Sequence, residues 1–168
     1  MTIEELNKLN KEKAFETLFK CCGCTTWAQE LTDVRPFKNE VELLKVSDLI
    51  WKECGMVEGL EAFSHHPKIG DLKSLEKKFA STKEWASGEQ AGVDEATHLT
   101  LAELAKGNRV YETKFGFIFI VCATGKTADE MLALLKARLV NDPGKEFEIA
   151  MNEQNKITHI RLKKLFSC

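Results

Sequence analysis

Three stretches of this 168-residue chain hold residue types able to do chemistry. The first is Ser64-His65-His66-Pro67-Lys68-Ile69-Gly70-Asp71. Adjacent histidines do not face the same way on a helix, which excludes a two-histidine metal site of i, i+4 spacing. Pro67 pushes its predecessor toward extended backbone. The spacing therefore predicts His66 at a helix end with its ring able to point into a cleft, and His65 as a bystander. Histidine changes protonation near neutral pH, so the chemistry on offer is proton transfer. A plain structural turn would carry the same residues.

The second stretch is Ser87-Gly88-Glu89-Gln90-Ala91-Gly92-Val93. Two glycines around a Glu-Gln pair allow close backbone approach to a ligand. A glutamate near a helix start can orient a histidine in acid–base work. Ser87 and Gln90 also fit an ordinary capping box. The third stretch ends Gly125-Lys126-Thr127 before a helix, like the end of a phosphate-binding loop. That loop needs a glycine where this chain has the branched Ile120, and no second strand supplies a magnesium-binding aspartate, so nucleotide hydrolysis is disfavoured.

Four arginines are available, Arg35, Arg109, Arg138 and Arg161, and a guanidinium suits a carboxylate or a planar urea-like ligand. Arg161 and Arg138 both lie beside apolar helix positions, where an arginine can equally reach out to solvent. Six cysteines are many for this length. Cys21, Cys22 and Cys24 lack the second ligand pair of a structural zinc site, so buried reduced thiols are expected and no metal.

Several composition classes are excluded. Hydrophobic residues make up 43% and charged residues 30%, the balance of a folded domain. The net charge of −2 makes no case for nucleic acid or an anionic membrane. The longest apolar run, residues 115–123, is far short of the roughly 20 residues of a membrane helix. The start of the sequence lacks the pattern of a signal peptide, so a cytoplasmic protein is expected.

The elements that must position these groups read as a succession of helices. Thr2 with Glu5 and Thr127 with Glu130 fit capping boxes, and Asn10 and Asn39 fit N-caps. Thr25 or Thr26 opens a short helix, and a longer one from Asn39 is stopped by Gly55. Another runs from about 57 to 65, Asp71 caps the next, and Asp94 caps one that ends at Gly107. The last two begin near 128 and 144. Residues 115–123 have the β-branched and aromatic content of a buried strand but no partner run to pair with. They are therefore expected to be extended or irregular inside a helical bundle, with backbone groups able to serve a ligand. The fold expected is all-α, one domain over 1–168, with about seven to nine helices.

In order, His66-Pro67-Lys68-Ile69-Gly70-Asp71, Glu89-Gln90-Ala91-Gly92-Val93, Tyr111, Phe115-Gly116-Phe117-Ile118-Phe119-Ile120-Val121-Cys122-Ala123, Arg138-Leu139 and Arg161-Leu162 resemble one family across essentially the whole chain. That family is 2-oxo-4-hydroxy-4-carboxy-5-ureidoimidazoline (OHCU) decarboxylase, the last step from urate to (S)-allantoin. The resemblance implies an all-helical fold, a homodimer and no metal or organic cofactor. It implies His66, Glu89 and Arg161 as catalytic residues, with Arg138 the second choice for the arginine. It implies substrate contacts from Pro67, Ala86, Ser87, Gly88 and Gln90, and main-chain contacts from Ile118, Phe119, Ile120, Val121 and Cys122. Ile118 departs from the family pattern, since many relatives have Pro there. Two other readings compete: a non-enzymatic helical interaction module, and a ring-opening hydrolase on the same scaffold.

Overall fold

Helix starts are dictated locally, by side chains that reach orphan amides. The Thr2 hydroxyl accepts from the Glu5 amide at 3.1 Å and the Glu5 carboxylate accepts from the Thr2 amide at 2.7 Å. The same reciprocal pair joins Thr127 and Glu130. Asn10 accepts from the Lys13 amide and Asn39 from the Glu42 amide. A computed structural model describes residues 1–66 and 90–167, with the side chains of 90–97 excepted. Its helices are α1 (Ile3–Lys8), α2 (Lys11–Cys22), α3 (Thr25–Asp33), α4 (Glu40–Glu53), α5 (Met56–Ser64), α6 (Gln90–Phe115), α7 (Ala128–Arg138) and α8 (Pro143–Phe166). Among the described residues there are eight helices and no strand, so the all-α expectation holds. Residues 116–127 are not helical, which matches the irregular segment expected from the missing strand partner.

Three boundaries differ from the sequence reading. Gly55 does not close α4. The Cys54 amide closes it on Trp51, and Gly55 instead opens α5, with its amide donated to the Glu58 carboxylate at 3.0 Å. Asp94 does not cap a helix, because α6 already runs through it from Gln90. Gly107 does not end that helix either. A Cβ built there would stand 2.5 Å from Leu135 Cδ2, so the glycine lets α6 and α7 approach closely rather than breaking the chain. The expected Asp71 helix lies outside the described residues.

The described residues form two compact units. The first holds residues 1–66, 120–122 and 149–167. Its core gathers Leu6, Leu18, Cys21, Cys22, Cys24, Trp27, Ala28, Leu31, Leu43, Trp51, Ala62 and Leu162. Each of this unit's two described tryptophans keeps its indole N–H satisfied on a backbone carbonyl: Trp27 on Ser47 at 3.3 Å, Trp51 on Met151 at 3.0 Å. Asp48 of α4 takes hydrogen bonds from Asn155 and His159 of α8, both at 2.7 Å. The carboxylate of Glu61 on α5 receives the amide and hydroxyl of Thr25, at the start of α3.

The second unit is built from residues 90–119 and 123–148 of those described. It packs α6 against α7 through Leu101, Leu104, Ala105, Met131 and Leu135. Its centre is polar. Glu146, fully buried, receives Arg138 at 2.6 Å, Asn141 at 2.8 Å and the Tyr111 hydroxyl. The guanidinium of Arg138 lies 4.7 Å from the Phe119 ring centre, and the Tyr111 ring meets Phe115, Phe117 and Phe119. Burial and the Glu146 carboxylate push the Tyr111 phenol well above its ordinary range, so it donates to Glu146 as a neutral hydroxyl.

Arg138→Met would leave the Glu146 carboxylate buried without its cation. We expect a loss of about 3–5 kcal/mol of unfolding free energy, the usual cost of breaking a buried pair from one side. Urea unfolding monitored by far-ultraviolet circular dichroism measures it, and an unchanged midpoint would contradict the buried-pair role.

Candidate active site

A helix C-terminus leaves its last carbonyls without intrahelical partners and carries partial negative charge. At the end of α2 two of these carbonyls are met by side chains of α8. The Arg161 guanidinium donates to Cys21 O at 3.3 Å, and the Gln154 amide Nε2 donates to Cys22 O at 3.2 Å. Gly23 closes α2 in the left-handed conformation, φ 81°, with its amide on Phe19 O. A Cβ there would stand 2.7 Å from the Cβ of His65, so the position suits glycine on two counts.

α5 ends at Ser64, as the following proline requires, and the chain then presents His65 and His66. The two rings go to different places. His65 is exposed, hydrogen-bonds through Nδ1 to Glu61 O at 3.0 Å and meets the Phe19 ring edge-on at 5.0 Å. His66 is half-buried, and its Nε2 lies 2.6 Å from Gln154 Oε1. Gln154 and Thr158, one helical turn apart on α8, are both buried, and Arg161 follows at i+7 on the same face. One stripe of α8 thus carries the partner of His66 and, about 10 Å further along the axis, Arg161.

The irregular segment reaches the same helix. The Cys122 amide donates to Glu153 Oε2 at 2.7 Å, while Glu153 Oε1 pairs with Lys156 at 2.5 Å. A ligand using that amide would have to displace the Glu153 carboxylate. Ile120 is buried, and Ile118, Val121 and Cys122 are half-buried. Phe119 belongs to the second unit, where its ring packs on Tyr111 and Arg138. Pro67, Ala86, Ser87, Gly88 and Glu89 lie outside the described residues, and Gln90 is described only as the first residue of α6.

The two candidate arginines separate clearly. Arg138 is committed to buried Glu146. Arg161 is half-buried, and its one hydrogen bond among the described residues is the long one to Cys21 O.

The model of the OHCU decarboxylase family matches residues 7–163. The chain belongs to the OHCU decarboxylase family. It is 31% identical over 176 aligned residues to the 2-oxo-4-hydroxy-4-carboxy-5-ureidoimidazoline decarboxylase of Amia calva, covering 100% of this chain and 96% of that protein. It is 38% identical over 147 residues to the uric acid degradation bifunctional protein TTL of Arabidopsis thaliana, covering 88% of this chain. The chain spans 45% of the length of that bifunctional relative and 32% of a second one, from Bacillus sp. (strain TB-90). A crystal structure of OHCU decarboxylase in the presence of (S)-allantoin superposes with a TM-score of 0.73 at 37% identity, covering 95% of this chain and 100% of the other.

In this member of the OHCU decarboxylase family, sequence reasoning missed Gln154 and Glu153. A signal existed: Gln154, Thr158 and Arg161 recur at i, i+4 and i+7, a polar stripe along one face of the helix. What they would touch was invisible, because Cys22, His66 and Cys122 are 132, 88 and 31 residues away respectively in sequence from their partners on α8.

The cysteines beside this stripe, Cys21, Cys22 and Cys24, are buried, as the sequence reading expected, and are free thiols in this structure. Among the described residues no three His, Cys, Asp or Glu groups stand together as a metal site. Burial pushes Cys21 up to about 11 and Cys22 up to about 12, with Arg161 pulling weakly the other way. Both stay protonated at neutral pH and are poor nucleophiles. Their folded pKa values exceed the ordinary value of 9.0, so this contribution to stability is fully present below pH 9. It is lost as pH rises from there through 11 and 12. We expect unfolding free energy to fall over that window. In the native protein at pH 8, mass-spectrometric mapping of alkylation should find Cys21 and Cys22 protected, and prompt labelling of both would contradict this account.

Proposed function

We propose that this chain decarboxylates OHCU to (S)-allantoin in urate degradation, with no metal or organic cofactor. The observation that carries the reading is the shared stripe of α8: in a chain of this family it holds His66 through Gln154 and, among the described residues, presents Arg161 without a buried carboxylate to neutralise it. The substrate carries a carboxylate and a hydroxyl on one ring carbon, beside an imine. When the carbon–carboxylate bond breaks, carbon dioxide leaves and the electron pair flows toward the imine. The substrate is therefore its own electron sink. A proton must then be added to the former imine nitrogen and another to one face of the neighbouring ring carbon, while the hydroxyl gives up its proton to become a carbonyl, so that the carboxylate substrate takes up one proton net.

His66 is the group we assign to proton transfer at the reacting ring. Glu89 would hydrogen-bond substrate nitrogen or hydroxyl groups, and Arg161 a carbonyl or the carboxylate. Pro67, Ala86, Ser87, Gly88, Gln90 and residues 118–122 would line the ring. General acid–base catalysis is worth about 10²–10⁴-fold, with orientation and a water-poor site providing the remainder. We further propose that residues 1–168 act as one OHCU decarboxylase domain, in a cytoplasmic homodimer, with neither nucleic acid nor membrane as partner. No described helix is long and apolar enough to cross a membrane.

The test generates OHCU in place from urate with uricase and hydroxyisourate hydrolase, then follows the circular dichroism of allantoin with this protein added or withheld. A fast rise of the (S)-allantoin signal is expected. Racemic product at the background rate, from a folded sample, would overturn the function. His66→Ala should slow turnover by at least about 10²-fold, and Glu89→Gln should separate a charge requirement from mere hydrogen bonding.

A further inference from the structure

We infer that Gln154 is a positioning residue that holds the His66 ring with its proton on Nε2, so that proton exchange with the substrate runs through Nδ1. The inference rests on the decarboxylase reading for its catalytic meaning, but its geometry stands independently.

A glutamine amide can be flipped without changing its shape, so its orientation must come from its neighbours. Here two neighbours decide it. Cys22 O, 3.2 Å from Gln154 Nε2, is a carbonyl and can only accept. Thr158 Oγ1, also 3.2 Å from Nε2, donates its single proton to Gln154 O at 3.0 Å and therefore accepts from the amide. Both acceptors demand the NH₂ end, and Oε1 is left on the side of His66, 2.6 Å from its Nε2. An amide oxygen cannot donate, so that ring nitrogen must carry hydrogen. In the neutral ring the lone pair then sits on Nδ1. In the cation both nitrogens donate, and the contact to Gln154 survives. A proton can enter and leave at Nδ1 without the ring turning or the contact breaking.

The partner's chemistry matters as well. A carboxylate at this place would favour the imidazolium electrostatically. A neutral amide orients the ring and adds no charge. Gln154 is itself fully buried, and its two donor contacts anchor it to the end of α2 and to the next turn of α8. The ring direction of His66 is thus set by the same helix end that Arg161 meets.

The test combines nitrogen-15 NMR of histidine-labelled protein with steady-state kinetics, His66→Ala identifying the His66 signals. In the wild type, an Nε2-bound proton protected enough from exchange to be observed at neutral pH is expected. Gln154→Met, similar in shape and unable to accept, should lose that signal and lower kcat at least about 10-fold with a smaller change in KM. Gln154→Glu, which keeps an oxygen facing the ring, should restore the signal and part of the kcat. A neutral His66 protonated on Nδ1 in the wild type overturns the inference. So does a folded Gln154→Met with unchanged signal and kcat. Should Gln154→Met fail to fold, the wild-type spectrum and Gln154→Glu decide by the same criteria. The NMR readout needs no turnover. An Nε2 proton dependent on Gln154 in a protein that makes no (S)-allantoin would sink the function and keep the geometry. A neutral His66 with its only ring proton on Nδ1, in an active enzyme, would do the reverse.

Discussion

The first unit depends on how the C-terminal end of α2 is satisfied. Two orphan carbonyls, Cys21 O and Cys22 O, are met by Arg161 and Gln154, both from α8. Left unmet in a buried place, such carbonyls cost on the order of 1–3 kcal/mol each. Met this way, they fix the facing side chains instead. Gln154 passes the constraint on to His66, and Arg161 is held near the same end by a favourable but long contact. A requirement of backbone hydrogen bonding thus becomes the geometry of a proposed catalytic pair.

The second unit shows the opposite use of an arginine. Arg138 is buried against Glu146, with Tyr111 donating to the same carboxylate and aromatic rings around the guanidinium. Such a centre is costly to break and has no charge to spare for a ligand. The contrast explains why two arginines that look alike by local pattern have different fates. Each borders an apolar helix face in the sequence, and only the long-range partner distinguishes them.

Glycines mislead for a related reason. Gly107 reads as a helix stop, and its real function is to admit Leu135 of α7 against α6. Gly23 has both roles at once, ending α2 with positive φ and making room for His65. Local conformational preference predicts the second kind of glycine and not the first, since a neighbour's approach is not written in the residues around it. The strand-like run before Thr127 is similar. Its composition asked for a sheet, its lack of a partner ruled one out, and the Cys122 amide went to a glutamate on α8.

The sequence by itself determined the helix starts, because Thr2, Asn10, Asn39 and Thr127 act on amides three residues away. It determined that His66 would leave α5, because proline acts on its immediate predecessor. Through an ordered set of short motifs it also pointed to the family. Tertiary structure alone decided which arginine is buried in a pair, which glycine stops a helix and which side chain holds the histidine. The physical reason is range. Caps and proline effects act within a turn of helix and can be read locally. Hydrogen-bond satisfaction of buried groups such as Cys22 O, Gln154 and Glu146 is a condition on partners that only the folded chain brings together.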